Sequence, residues 1–240
     1  MLIKLTSPHG VAWVKLSFMR TLYHIWLSPT CRVVRVVLAE KNLDFELVLE
    51  KVWERREGFL LLNPSGEVPV LEEPDGAIVS EYVPICEYLE EVYKSQTLYG
   101  TEPLLRAEVR RLICWFGVKF NSEVTRHIHG EKFVKRFLQR GEPNSSAMRA
   151  GLANIRIHLD YISFLVDRRR WLAGDQFSMA DIVAAAQISV IDYLGDVPWN
   201  NSNGAKDWYA RVKSRPSFRS ILGDYIAGFP PPKYYADLDF

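Results

Sequence analysis

Asn63-Pro64-Ser65-Gly66-Glu67-Val68-Pro69-Val70-Leu71-Glu72-Glu73-Pro74-Asp75-Gly76-Ala77-Ile78-Val79 holds two short apolar runs, Val68–Leu71 and Ala77–Val79, on either side of Pro74-Asp75-Gly76. Proline presets φ and glycine supplies a left-handed position, so this triplet reads as a tight turn and the segment as an antiparallel hairpin. Asn63-Pro64-Ser65-Gly66 is a second turn cluster, which gives Pro69 a structured approach. A cis proline here would present the N–H and C=O of Val68 to an extended peptide ligand, able to pair as an added strand. An edge-strand proline is the plainer alternative.

Upstream of the hairpin, Thr21–Leu27 predicts a short buried strand that Ser28-Pro29-Thr30 interrupts, with Thr30 as a helix N-cap. Val33, Val34, Val37 and Leu38 recur at helical spacing through Lys41, and Asn42 fits a left-handed C-cap. Phe45, Leu47 and Leu49 alternate with acidic residues, a second strand. Downstream, Ile85, Tyr88, Leu89 and Val92 return to helical spacing over Glu81–Tyr93. The order is βαβ followed by ββα, a thioredoxin-like α/β arrangement.

From about residue 100 strand patterns cease, and helices are predicted over 103–125, 131–140, 146–169, 179–194, 205–213 and 216–222. The chain thus divides into an extension at 1–18, a thioredoxin-like domain at 19–98, an all-α domain at 99–222 and an extended Pro/Tyr-rich tail at 223–240. Residues 1–18 read either as a disordered extension or as sequence upstream of a start at Met19. They lack the continuous apolar region and cleavage site of a signal peptide.

The 240 residues carry a formal net charge of +1 and 48% hydrophobic residues, ordinary for a globular protein. No apolar run approaches the ~18 residues of a membrane span. Three scattered cysteines, Cys31, Cys86 and Cys114, make no C-x-x-C pair and suit a reducing, cytoplasmic compartment. The small net charge hides an asymmetry. Residues 21–100 hold 7 Lys+Arg against 14 Asp+Glu, and residues 101–222 hold 19 against 12. A basic helical half can steer towards an acidic partner, or simply dock against its own acidic half.

Cys31 stands at the start of the first predicted helix, where unpaired backbone N–H groups can stabilise a thiolate. Its plainer reading is a small apolar residue packed at a strand-helix junction. His127 and His129 do not face one another on a helix, and no Cys/His set completes a four-ligand site, so no metal is expected. No P-loop or dinucleotide fingerprint is present, which gives nucleotide binding no support. Arg168-Arg169-Arg170 lies at a helix end, where cations offset the dipole without any nucleic acid. Ser178 and Asp181 form an S-x-x-D capping pattern ahead of an apolar helix.

Ser28-Pro29-Thr30-Cys31-Arg32-Val33-Val34-Arg35, Asn63-Pro64-Ser65-Gly66-Glu67-Val68-Pro69-Val70-Leu71, Glu81 with Glu87-Tyr88-Leu89, and Trp171-Leu172-Ala173-Gly174-Asp175-Gln176-Phe177-Ser178-Met179-Ala180-Asp181 together resemble the glutathione transferase superfamily, in order and spacing. The resemblance covers most of residues 21–222 and implies a two-domain fold, a homodimer and glutathione as a possible substrate. It places Cys31 where the family has the serine or cysteine that assists the glutathione thiol, and Val68 and Pro69 where the backbone holds the tripeptide. Glu81 falls at the acidic member of a Glu-Ser pair that holds the γ-glutamyl group. The next residue is Tyr82 rather than serine, a departure that puts glutathione binding in doubt.

Pro230-Pro231-Pro232 pre-extends the tail, while Tyr234, Tyr235, Leu238 and Phe240 supply apolar anchors beside Asp237 and Asp239. Such a segment can dock in a partner's groove or fold back on its own domain. It also resembles the ending of alphaproteobacterial glutathione-transferase-like proteins that bind FtsZ filaments. Two functions from different classes follow. The favoured one is an FtsZ-binding cell-division or cell-shape factor with weak or no conjugating activity, acting at the division site. The alternative is a cytoplasmic glutathione S-transferase that conjugates glutathione to electrophiles or exchanges thiols through Cys31.

Overall fold

A computed structural model describes residues 2–7, 10–15 and 19–238. Strands β3 (Arg20–His24), β4 (Phe45–Leu49), β5 (Val70–Glu72) and β6 (Ile78–Ser80) form one sheet in the order β4-β3-β5-β6. β3 and β4 run parallel, with α1 (Pro29–Glu40) as their crossover, and β3-β5 and β5-β6 are antiparallel. The hairpin read from Pro74-Asp75-Gly76 is therefore present, with Leu71 opposite Val79. α2 (Glu57–Leu62), absent from the sequence reading, precedes the Asn63-Pro64-Ser65-Gly66 turn and sets Phe59 against Tyr23 at 5.7 Å. α3 (Tyr82–Val92) closes the domain.

Local chemistry accounts for α1. Ser28, rather than Thr30, is its N-cap and accepts from the Cys31 N–H at 3.3 Å, and Pro29 occupies the first turn. Val33, Val34, Val36, Val37 and Leu38 are all buried. Its charged residues are buried too. Arg32 donates to Ser189 Oγ at 2.8 Å and to Asp224 at 3.0 Å, Arg35 holds Asp224 at 2.9 Å, and Glu40 accepts two bonds from Arg215 at 2.7 Å. These contacts join α1 to the helical half.

That half is built from α4 (Pro103–Cys114), α5 (Arg126–His129), α6 (Lys135–Phe137), α7 (Ser145–Val166), α8 (Met179–Tyr193), α9 (Asn203–Lys213) and α10 (Arg219–Leu222). π-helical segments Trp115–Thr125 and Gly130–Val134 join α4, α5 and α6 without a break. The break predicted between 125 and 131 is thus absent. Gly130 keeps helical dihedrals, φ −58° and ψ −45°, so its freedom is not used. α8 is buried at every position. Asp181 orders its start, accepting from the Ser178 N–H, the Leu172 N–H and the Trp208 indole.

Two further expectations are corrected. Within 1–18, where disorder was one expectation, Leu2–Ser7 (β1) pairs antiparallel with Gly10–Lys15 (β2) as a separate two-stranded sheet. The β-branched Ile3 and Thr6 before Ser7-Pro8-His9-Gly10, and Val11, Trp13 and Val14 after it, are residue types that favour strands. The tail is not extended throughout: it forms a 3₁₀ turn, Lys233–Ala236, folded against the helical half. Among the described residues no helix is long and apolar enough to cross a membrane.

Candidate functional site

The end of β3, the start of α1 and the loop before β5 meet the α5–α6 helical run across a cleft of about 270 Å³. Ser28, Pro29 and Thr30 line it from α1, Trp26 from the preceding loop, Trp53 from the segment after β4, and Glu67 and Val68 from the approach to β5. His129, Phe133 and Phe137 line the opposite wall. Spaced four apart on one helical run, they share a face. Their rings form a series: His129 stacks on Phe133 at 5.2 Å, Phe133 on Phe137 at 5.4 Å, and Phe137 meets Trp53 edge-on at 5.4 Å.

Cys31 lies at the helix start, as its sequence position implies, yet it is only 1% exposed and does not line the cleft. Burial pushes its thiol up to about 11, outweighing the hydrogen bond from Ser28 and the field of Arg35. Of the two readings of Cys31, the small apolar residue packed at a strand-helix junction fits this burial and the stabilised thiolate does not, because desolvation outweighs the helix terminus. The hydroxyls of Ser28 and Thr30, 2.9 Å apart, are the polar groups that α1 presents instead.

Val68 reaches the cleft as expected, and its peptide bond to Pro69 is cis. The Pro69 carbonyl accepts from the Glu81 N–H at 3.1 Å. Glu81 itself is exposed, has φ +69°, and is not part of the cleft wall. His129 is held neutral because burial pushes its imidazole down to about 4. Among the described residues no group of three or more His, Cys, Asp and Glu is placed to hold a metal ion.

The family model for the glutathione S-transferase N-terminal domain matches residues 27–92. The chain is also 46% identical over 228 residues to FtsZ-localized protein A of Caulobacter vibrioides, an alignment spanning 94% of this chain and all of that protein. The chain belongs to the glutathione S-transferase family. Among solved structures, a glutathione S-transferase from Rhodospirillum rubrum is 57% identical with a TM-score of 0.91, and FzlA from C. crescentus is 46% identical with a TM-score of 0.90. Each comparison covers 92% of this chain and 100% of the other.

In this glutathione S-transferase relative, the departure at Tyr82 has a definite place. The ring is half-buried and absent from the cleft lining, and its hydroxyl lies 2.2 Å from where a Cβ on Gly117 would stand. Tyr82 thus points across the domain boundary and does not fill the pocket. Burial pushes its phenol up to about 12.

The tail residues separate. Tyr235 is fully buried, edge-on to Tyr193 at 5.2 Å, and shares a cluster with Leu27, Phe133 and Ile226. It is therefore an intramolecular anchor and not a free docking side chain, because its apolar ring finds a closed site on its own domain. Tyr234 is half-buried against the main core, and Lys213 donates to the Asp237 carbonyl. Asp237 is exposed and Leu238 half-exposed. Phe240 lies outside the described residues. Trp26, Trp53, Phe133 and Phe137 escaped the sequence reading, although the His129, Phe133, Phe137 spacing was a usable signal.

Proposed function

We propose that this protein binds FtsZ filaments and serves as a cell-division or cell-shape factor with weak or no conjugating activity. The observation that carries this is the 46% identity across the whole of FtsZ-localized protein A. Two structural features support it. The thiol at the family's catalytic position is buried and protonated, and the helical half holds 19 Lys+Arg against 12 Asp+Glu, suited to an acidic partner. We take the protein to be a cytoplasmic homodimer recruited to the division site. Exposed Val118, Ile157 and Phe164 on packed helical segments support a self-association face.

Co-sedimentation with GTP-assembled FtsZ tests the reading. The protein should pellet with filaments at low salt and progressively less as salt rises. Deleting only residues 238–240, which leaves Tyr235 in place, should weaken pelleting if the tail end contributes. Failure to pellet at low salt overturns filament binding.

A glutathione-dependent transferase is the second reading, favoured by the cleft itself with Ser28, Thr30 and Val68 on its N-terminal side. On that reading the two hydroxyls, not the Cys31 thiol, would contact the glutathione sulfur. Turnover should then survive Cys31→Ala and fall in Thr30→Val.

A further inference from the structure

A second groove, of about 380 Å³, lies on the helical half and shares no lining residue with the cleft. Lys132 and Arg136 line it from the helical run, Tyr193–Gly195 from the end of α8, and Gly228–Pro232 from the tail. The fold holds the tail side in place. The Tyr193 hydroxyl donates to the Phe229 carbonyl at 2.8 Å and accepts from the Ile226 N–H at 3.0 Å. Phe229 meets Phe133 edge-on at 4.9 Å, and Tyr235 closes against Tyr193. Pro230, Pro231 and Pro232 carry no N–H, so that stretch offers an incoming chain apolar rings and carbonyl oxygens but no donors.

The two cations on the other side differ. Lys132 is committed, since its ammonium donates to the Leu194 carbonyl at 2.8 Å and to the two Asp196 oxygens at 2.9 and 2.8 Å. Arg136 is exposed and lies over the Phe229 ring at 5.1 Å. Among the described residues it has no carboxylate within salt-bridge distance. A guanidinium placed over a ring keeps its N–H edge open to a carboxylate. The neighbouring acids are already engaged, Asp196 by Lys132 and Glu131 by Lys135 at 2.6 Å, while Arg140 and Lys233 add exposed positive charge. A cationic segment would meet Arg136 directly, and a wholly apolar one would strip water from the guanidinium without replacing its hydrogen bonds. A segment with a carboxylate beside an apolar side chain satisfies both sides.

We propose that this groove receives an acidic, apolar-flanked segment of the FtsZ filament, with one carboxylate on Arg136 and the apolar neighbour against Pro230–Pro232. The inference rests on the filament-binding reading and names the surface that carries it. The tail acts here by building one side of the groove.

Pelleting of the full chain over a range of concentrations with GTP-assembled FtsZ reads the affinity. Arg136→Glu should weaken it about thirtyfold, the scale of an interfacial charge pair broken from one side. Pro231→Asp sets a like charge in the path of the carboxylate and should weaken it about tenfold. Arg170→Glu makes the same change of charge at another exposed arginine, past the far end of α7. The start of that 22-residue helix is tied to Glu131 through the Asn144 N–H, which places Arg170 roughly 30 Å from the groove. Its loss should be about twofold, the effect of net charge alone. Equal losses from Arg136→Glu and Arg170→Glu, or undiminished pelleting of Pro231→Asp, overturn the groove while filament binding stands. Wild-type protein that stays in the supernatant at low salt removes both.

Discussion

Tyr82 and Gly117 show how one residue can depend on another far along the chain. The Tyr82 hydroxyl stands 2.2 Å, and its Cζ 3.4 Å, from the place a Cβ on Gly117 would take. An alanine there meets the oxygen, not the ring. Gly117→Ala is therefore expected to cost about 1–3 kcal/mol, the usual penalty for overpacking. Tyr82→Phe should recover most of that loss, because 3.4 Å is an ordinary contact. Urea denaturation of the two single variants and the double variant measures the coupling, and strictly additive losses would show that the contact does not matter. Cys31 teaches the same lesson about legibility. Its place at the head of α1 follows from Ser28-Pro29-Thr30, whereas its protonation depends on burial by packing that no local pattern reports. The cleft's backbone side at Val68 was readable from turn chemistry, although Pro69 itself is buried outside the lining; the aromatic wall required knowing that the α5–α6 run faces it.

Among the elements, α1 is the one whose role changes most once the fold is known. Its valines announce a helix, and that much follows from spacing. Arg32, Arg35 and Glu40 lie on the same helix, but their partners are Ser189, Asp224 and Arg215, far beyond any sequence window. Asp224 is the common acceptor, with Arg32 and Arg35 nearly enclosed at side-chain exposures of 1% and 5%. Removing it leaves two buried guanidiniums without their carboxylate. Asp224→Ala should lower stability by about 3–5 kcal/mol, the cost of breaking a buried pair from one side. Chemical denaturation checks the value, and a loss under 1 kcal/mol would mean that water replaces the carboxylate. The missing break at Gly130 has the opposite origin. Glycine tolerates many conformations, and packing of Ile128 and Phe133 into the core holds the helical one.

At the scale of the whole molecule, titration and folding are linked through a few enclosed groups. Burial pushes both His24 and His129 down to about 4, from an ordinary value near 6.5. In the unfolded chain both take up protons as pH falls through 6.5, while in the folded protein they stay neutral until about 4. Protonation therefore favours unfolding across that window, and the stability present above pH 6.5 is lost progressively towards pH 4. Asp192 opposes this. Burial raises its carboxyl to about 6 from 3.8, so below pH 6 the folded state binds a proton that the unfolded chain does not. Burial also pushes His158 down and Asp181 up, one on each side of the balance, so the histidines still outnumber the aspartates by one and the unfolded state holds an excess of roughly one proton between pH 6 and 4, about 1.4 kcal/mol per pH unit. Below that, Glu108, held down to about 2 by Arg111 and Arg169, adds a further loss as it is protonated. Urea denaturation at half-unit steps from pH 7 to 4 should thus show stability falling with acid. His129→Phe should flatten the slope by about one proton whatever its effect on absolute stability, because the slope counts only protons. An unchanged slope in that variant would mean that His129 titrates alike in both states.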